Sequence, residues 1–344
     1  MRNYRDHLLP TKSTIREALI KLQDLAKDAI LFVVDEEDKL LGSLTDGDIR
    51  RGLINGVAVN NKVNEIIQPK SAASQPKPKY IRKGEKNLEK IIEYREGNYR
   101  ILPVVDHKDV VVNVINFRIS RSYLPVDAVI MAGGKGTRLR PLTENTPKPL
   151  LKVGPKPIME HNIDRLALYG IDDFWISVKY LGEQIEDYFG SKKNINLSYV
   201  WEDKPLGTIG AVSKISDFSH DYVLLTNSDI LTNLDYEHFF LDFMNNDADL
   251  AVVTIPYQVN IPYAVLETSN GHVVNFKEKP TYTYYSNGGI YLIKKSALEY
   301  LPKESFFNAT DLMEKLIEDG KKVVSYPLSG YWLDVGKHED FEKA

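Results

Sequence analysis

One segment constrains this chain more than any other. It runs Met131-Ala132-Gly133-Gly134-Lys135-Gly136-Thr137-Arg138-Leu139-Arg140-Pro141-Leu142-Thr143 and continues to Pro147-Lys148-Pro149-Leu150. A short apolar run at 128–131 precedes it directly and reads as a strand. The three glycines let the backbone turn its N–H groups toward one point and approach a ligand closely. Thr137, Arg138 and Lys148 add donors and positive charge, so an anion, above all a triphosphate, belongs there. Two familiar phosphate loops do not fit. A Walker A loop needs Gly-Lys-Ser/Thr, whereas Lys135 is followed by Gly136. A dinucleotide fingerprint needs a third glycine where Leu139 stands.

Around this segment, strand and helix signals alternate. Apolar runs at 174–178, 197–200 and 222–226 read as strands, and 158–169, 181–189 and 208–215 as helices, with Gly170 as a C-cap. This order implies a mostly parallel sheet with helices on both faces. Strands at 250–255, 264–267 and 289–293 are expected to extend it, and 309–318 reads as a further helix.

The first third reads differently, as two weak repeats. A helix behind Ser13-Thr14, a strand at 30–34, an acidic turn and a return strand at 40–44 lead to a helix at 46–54. A helix near 88–92, a strand at 102–105 with an acidic turn, and a return strand at 110–115 repeat the order. Such a unit buries its face best against a copy of itself. The Pro/Ser/Lys-rich stretch 68–78 between the copies reads as a linker, and 120–125 as a short boundary. The expected domains are therefore 1–122 and 126–344.

Composition excludes several function classes. Lysine plus arginine against aspartate plus glutamate gives a net charge of −4, with no basic excess for nucleic acid or an anionic membrane. The chain has no cysteine, so disulfides, thiolate nucleophiles and thiolate-rich zinc sites are out. No apolar run is long enough to span a bilayer, and the N-terminus lacks a signal-peptide core. A cytoplasmic protein is expected.

The ordered segment Gly133-Gly134-x-Gly136-Thr137-Arg138-Leu139-x-Pro141-Leu142-Thr143 with Pro147-Lys148-Pro149 closely resembles the signature of sugar-phosphate nucleotidyltransferases. Five further segments resemble that family in order. Glu202-Asp203-Lys204-Pro205-Leu206-Gly207-Thr208 looks like its base-contacting loop, and Asn227-Ser228-Asp229 like its metal-binding turn. Phe276-Lys277-Glu278-Lys279-Pro280 and Asn287-Gly288-Gly289-Ile290-Tyr291 look like sugar-phosphate loops. Trp332-Leu333-Asp334-Val335-Gly336 looks like the second metal-ligand site. Two positions depart from the pattern. Ser228 stands where the family commonly has glycine, and Ala264 where a glycine usually lies against the sugar. The added methyl at Ala264 bears on which sugar fits.

The first third resembles a tandem pair of cystathionine β-synthase (CBS) domains, through Gly42-Ser43-Leu44-Thr45-Asp46-Gly47-Asp48. In such pairs the threonine and final aspartate, here Thr45 and Asp48, often hold the ribose of a nucleotide, adenine or guanine in this case. Asn116 and Ile119 stand at those places in the second repeat, so at most one site is equipped. A CBS pair ahead of such a transferase resembles enzymes making nucleotide-activated amino sugars for surface glycans, among them glucosamine-1-phosphate guanylyltransferases. It also implies a homo-oligomer.

Together these resemblances imply an α/β, Rossmann-like nucleotidyltransferase domain with a mixed, mostly parallel sheet, preceded by a tandem CBS (α+β) pair. The implied reaction joins an NTP and a sugar-1-phosphate, with Mg²⁺ held by Asp229 and Asp334. Arg138, Lys148 and Asp229 are the implied catalytic residues. The nucleotide would meet Ala132, Gly133, Gly134, Gly136, Thr137, Glu202, Gly207 and Thr208. The sugar phosphate would meet Asn227, Glu278, Lys279, Asn287 and Gly289. In the family the position of Glu202 faces the base edge and is glutamine in many thymidylyl- and uridylyltransferases. A carboxylate offers only acceptors and suits the paired N–H donors of guanine, so GTP is expected. Plain alternatives exist: Asp229 as an ordinary turn aspartate, Glu278-Lys279 as a solvated pair, Glu202 pointing to solvent. The seven histidines show no metal-ligand spacing and read as structural or surface residues.

Overall fold

The computed structural model describes residues 3–67, 78–83, 88–190 and 195–344. The expected linker, apart from Pro78, lies outside them. The chain divides into two compact units. One comprises Met1–Pro125, Leu166–Asp172 and Lys192–Asn196; the other comprises Val126–Arg165, Asp173–Ser191 and Leu197–Ala344. No helix among the described residues is long and apolar enough to cross a membrane.

In the first unit the expected repeat is visible strand by strand. β1 (Leu8–Pro10) pairs parallel with β2 (Leu31–Val34), which pairs antiparallel with β3 (Leu40–Leu44). β4 (Ile81–Arg82), β5 (Ile101–Val105) and β6 (Val111–Asn116) repeat both pairings. Even the irregularity recurs, between Val33 and Val34 and between Val104 and Val105. Asp35 and Asp106 make equivalent turns, Oδ1 accepting from the amides of Glu37 and Lys39, and of Lys108 and Val110. The turns meet: the Leu40 amide donates to the Asp109 carbonyl and the Val111 amide to the Asp38 carbonyl, both at 2.9 Å. Leu8, Phe32 and Val34 share one apolar cluster with Ile101, Val105 and Val111, so each copy covers the other.

Helix α1 (Ile15–Leu25) starts at a capping box between Thr14 and Glu17 and buries Ile15, Ala18, Leu22 and Leu25 along one face. The equivalent helix of the second copy is α3 (Leu88–Glu96). After β3 the first copy continues into α2 (Asp46–Ile54). After β6 the second copy turns instead at Asn116, whose side chain accepts from the Arg118 amide.

The second unit is built on a seven-stranded sheet in the order β9-β8-β7-β10-β15-β12-β16. These are β7 (Asp127–Met131), β8 (Asp173–Val178), β9 (Asn196–Trp201), β10 (Tyr222–Asn227), β12 (Leu250–Asn260), β15 (Thr281–Lys294) and β16 (Val323–Pro327). β7 pairs parallel with β8 and β10, and β12 parallel with β16; β15 runs antiparallel between β10 and β12. Val129, Val223, Leu225, Val252 and Ile293 join Leu312 and Leu316 of α7 (Ala309–Glu318) in the core beneath it. α4 (Ile158–Leu168), α5 (Gly182–Phe189) and α6 (Tyr236–Asn245) follow β7, β8 and β10 in the chain. The C-terminal ends of β7, β8 and β10 therefore open on one edge, where α/β folds bind ligands.

Three expectations need correction. Residues 208–215 do not make an α-helix. The amides of Ile209 and Gly210 both donate to the Phe307 carbonyl, which commits them outside a helix, and only a 3₁₀ turn at Gly210–Lys214 follows. The segment near 264–267 does not extend the sheet. β13 (Val265–Ser269) pairs only with β14 (His272–Lys277). Asn270 and Gly271 between them both have positive φ, as a tight hairpin turn requires. Finally, the strands expected at 250–255 and 289–293 run on well past the sheet as β12 and β15.

Candidate active site

The glycine loop leaves the end of β7 and returns as a 3₁₀ turn, Thr137–Leu139, capped by Gly136 at φ 60°. A Cβ on Gly136 would also stand 3.0 Å from Thr143 and 3.1 Å from Lys148, so the loop folds tightly over the segment that carries the lysine. At Gly133 a Cβ would stand 2.8 Å from the Glu202 carboxylate. Leu139 is fully buried and anchors the turn, while Lys135, Thr137 and Arg138 remain exposed.

A cleft of about 600 Å³ lies over this loop. Besides the loop itself, Lys148, Glu202, Gly207, Thr208, Asn227, Asp229 and Asp334 line it, among others. A smaller cleft of about 250 Å³ shares Thr208, Asn227 and Asp334 with it and adds Asn287 and Gly289. The structure thus brings together every residue expected on the nucleotide side, both aspartates expected as metal ligands, and three of the five residues expected on the sugar side. Glu278 and Lys279 are exposed and line neither cleft.

A short strand pair places the acidic residues. β11 (Ile230–Thr232) runs antiparallel to β17 (Trp332–Asp334), with Ile230 opposite Asp334. The Val335 amide donates to the Asp229 carbonyl at 3.0 Å. Two aspartates far apart in the chain become neighbours. Lys148 forms an ion pair with Asp229 Oδ2, and its Nζ lies 3.9 Å from Asp334 Oδ1. Oδ1 of each aspartate is buried and accepts no hydrogen bond. Burial and the Asp229 carboxylate push the Asp334 carboxyl above its usual range, against the pull of Lys148 and Arg138. Two hard oxygen donors, crowded together and each with an unused atom, fit a divalent cation such as Mg²⁺.

Glu202 is buried at 8% exposure and does not point to solvent. Its Oε1 accepts from the Ser177 hydroxyl and its Oε2 from the Leu206 amide at 3.0 Å. Thr208 is fixed against the start of α7, its hydroxyl accepting from the Ala309 amide. Asn287 exchanges hydrogen bonds with the Tyr291 hydroxyl and accepts from the Gly289 amide.

In the larger cleft two lining residues were not anticipated. Lys179 follows the apolar run of β8 at the same end as the glycine loop, and that position was the available signal. Phe306 carries no comparable signal.

A second group lies at the other end of the strands. Asp127, Asp173 and His220 are all buried, with potential ligand atoms within 4.8 Å of one another. Asp127 and Asp173 begin β7 and β8, and His220 precedes β10, whereas the cleft lies at the strands' C-terminal ends. The Asp127 carboxylate accepts from the Ser219 and His220 amides and so fixes that turn.

In the first unit, Thr45 and Asp48 form the capping box of α2. Asp48 Oδ2 accepts from the Thr45 amide and hydroxyl, and Oδ1 pairs with Arg51 at 2.5 Å.

Comparison with known proteins places these features in context. The family model described as nucleotidyl transferase matches residues 127–344, and the CBS domain model matches residues 7–55. A D-glycero-α-D-manno-heptose 1-phosphate guanylyltransferase of Aneurinibacillus thermoaerophilus is 32% identical, over 64% of this chain and 96% of that protein. A UTP–glucose-1-phosphate uridylyltransferase of Synechocystis is 30% identical, over 63% of this chain and 62% of that protein. A bifunctional protein GlmU of Methanocaldococcus jannaschii is 34% identical, over 64% of this chain and 53% of that protein. The chain thus spans between half and two thirds of the length of the last two. A solved Bacillus anthracis structure, provisionally assigned as a glucose-1-phosphate thymidylyltransferase, shares the fold. It has a TM-score of 0.51 at 24% identity and covers 63% of this chain and 93% of that one.

Proposed function

The chain belongs to the nucleotidyl transferase family, and from that premise we propose that it transfers a guanylyl group from GTP to a sugar-1-phosphate, releasing pyrophosphate. The observation that carries this reading is the convergence of the glycine loop, Lys148, Asp229 and Asp334 on one cleft.

In this reading a sugar phosphate oxygen attacks the α-phosphorus in line and pyrophosphate leaves. The nucleophile is already ionised, so the protein supplies positioning and charge neutralisation and needs no strong general base. Loop amides and Lys135 cradle the triphosphate, and Arg138 meets the charge that develops on the leaving pyrophosphate. Lys148 holds Asp229 and Asp334 together as their counter-charge. These two would hold Mg²⁺, which when bound neutralises phosphate charge. Asn227, Asn287 and Gly289 line the sugar side, with Glu278 and Lys279 as further sugar-phosphate contacts.

Guanine is favoured through Glu202. Each of its oxygens takes one protein donor and keeps a second lone pair, so a fixed carboxylate can accept from N1–H and N2–H₂ together. Uracil and thymine would turn carbonyl oxygens toward it. The guanylyltransferase matched over 96% of its length supports the same nucleotide. Glucosamine-1-phosphate and mannose-1-phosphate are the first sugars to test. A uridylyl- or thymidylyltransferase acting on glucose-1-phosphate is the second reading, favoured by the Synechocystis relative.

The test is pyrophosphate release from each NTP with a panel of sugar-1-phosphates and Mg²⁺. Release with GTP, abolished in Asp229→Ala, is the expected result. Release with no NTP and sugar pair would leave a nucleotide-binding protein without transferase activity.

A further inference from the structure

Past the sheet, β12 and β15 continue as a two-stranded arm, in unbroken register from Thr254 opposite Asn287 to Asn260 opposite Thr281. The β13–β14 hairpin lies in the loop joining them. Tyr257, Tyr263, Leu266, Phe276, Tyr284 and Tyr285 on this arm are each more than half exposed. Tyr284 and Tyr285 are consecutive strand residues, so they face opposite sides, and neither side is covered. A lone two-stranded ribbon is marginal in water. Val273 and Val274 of the hairpin are also more than half exposed, so the arm presents a run of large apolar side chains of the kind that interfaces cover.

The arm also carries Glu278 and Lys279 away from the clefts. The ladder sets Lys279 more than six strand residues, roughly 20 Å, beyond Asn287. The smaller cleft, where Asn287 lies, has no lysine or arginine in its described lining. In this conformation the arm holds Lys279 away from its own cleft.

We propose that two copies of this chain exchange arms, each burying its aromatic faces on the other and delivering Lys279 to the other's sugar-phosphate cleft. A second copy meets both needs at once. It covers the arm, and it supplies the cation that the cleft lacks, through a two-fold exchange in which each chain gives what it receives. The proposal rests on the reading of Lys279 as a sugar-phosphate contact.

Full-length chains bearing Arg138→Ala or Lys279→Ala are expressed together with different tags, and mixed dimers are isolated through both tags. Each variant alone should lose about 100-fold or more in turnover. The mixed dimer should recover about half of wild-type turnover, since one of its two clefts combines an intact loop with the partner's intact arm. No recovery in mixed dimers overturns the exchange, and so does a monomeric wild type in light scattering. Full activity of Lys279→Ala would instead refute its sugar-phosphate role. The exchange is then decided by Tyr257→Ser with Tyr284→Ser, where dissociation of the dimer upholds it and an intact dimer refutes it. That measurement needs no turnover, so it remains readable if no transferase activity is found.

Discussion

Asp334 sits where a charged carboxylate is disfavoured. Its carboxyl is raised above 3.8, first by burial and then by the facing Asp229. The folded chain therefore keeps this proton to a higher pH than the unfolded chain does. Stability from this group is present below 3.8 and is lost as pH rises through the raised value. At neutral pH, without Mg²⁺, Asp334→Asn should therefore raise Tm while lowering turnover on the order of 10³-fold. Mg²⁺ should raise the Tm of the wild type more than that of the variant. A lower Tm in the metal-free variant would show that the carboxylate pair is not repulsive. Arg138 is exposed beside the glycine loop, and its proposed role is to meet the charge that develops on the leaving group. Arg138→Ala should lower kcat far more than it raises the KM for the NTP, and steady-state kinetics separates the two.

Elements decide which of these residues meet. The pairing of β11 with β17 sets Asp229 beside Asp334, and nothing local in either segment announces the other. The glycine loop, by contrast, was legible because its glycines, cations and preceding strand are consecutive. Glu202 is singled out as a proposed base contact only through resemblance. Its hydrogen bond with Ser177 of the neighbouring strand is one that no sequence spacing reveals. The β13–β14 hairpin was missed although Asn270-Gly271 is a strong turn signal, because the apolar run before it was read as one more sheet strand. Thr45 and Asp48 match a nucleotide-site pattern, and in the structure they form a helix cap. Asp48→Ala should then destabilise the first unit by about 1–2 kcal/mol, measurable as a lower denaturation midpoint of the full chain. An unchanged midpoint would show that the cap contributes little to stability.

At the scale of the whole molecule, the chain joins a CBS domain at residues 7–55 to a nucleotidyl transferase domain at 127–344. The repeat in the first unit was readable because both copies keep an acidic turn between two apolar strands. The arm was not: the run Tyr282-Thr283-Tyr284-Tyr285 is equally a sheet surface or a pocket wall until its partner strand is known. The proposed guanylyl transfer turns on which nucleotide the larger cleft accepts. The most direct measurement is kcat/KM for GTP against UTP and dTTP, in the wild type and in Glu202→Gln. GTP should lead by roughly 10- to 100-fold, since mismatched buried partners cost about 1–3 kcal/mol, and the substitution should narrow that lead. A lead for UTP or dTTP in the wild type, or a ratio unmoved by Glu202→Gln, would contradict it.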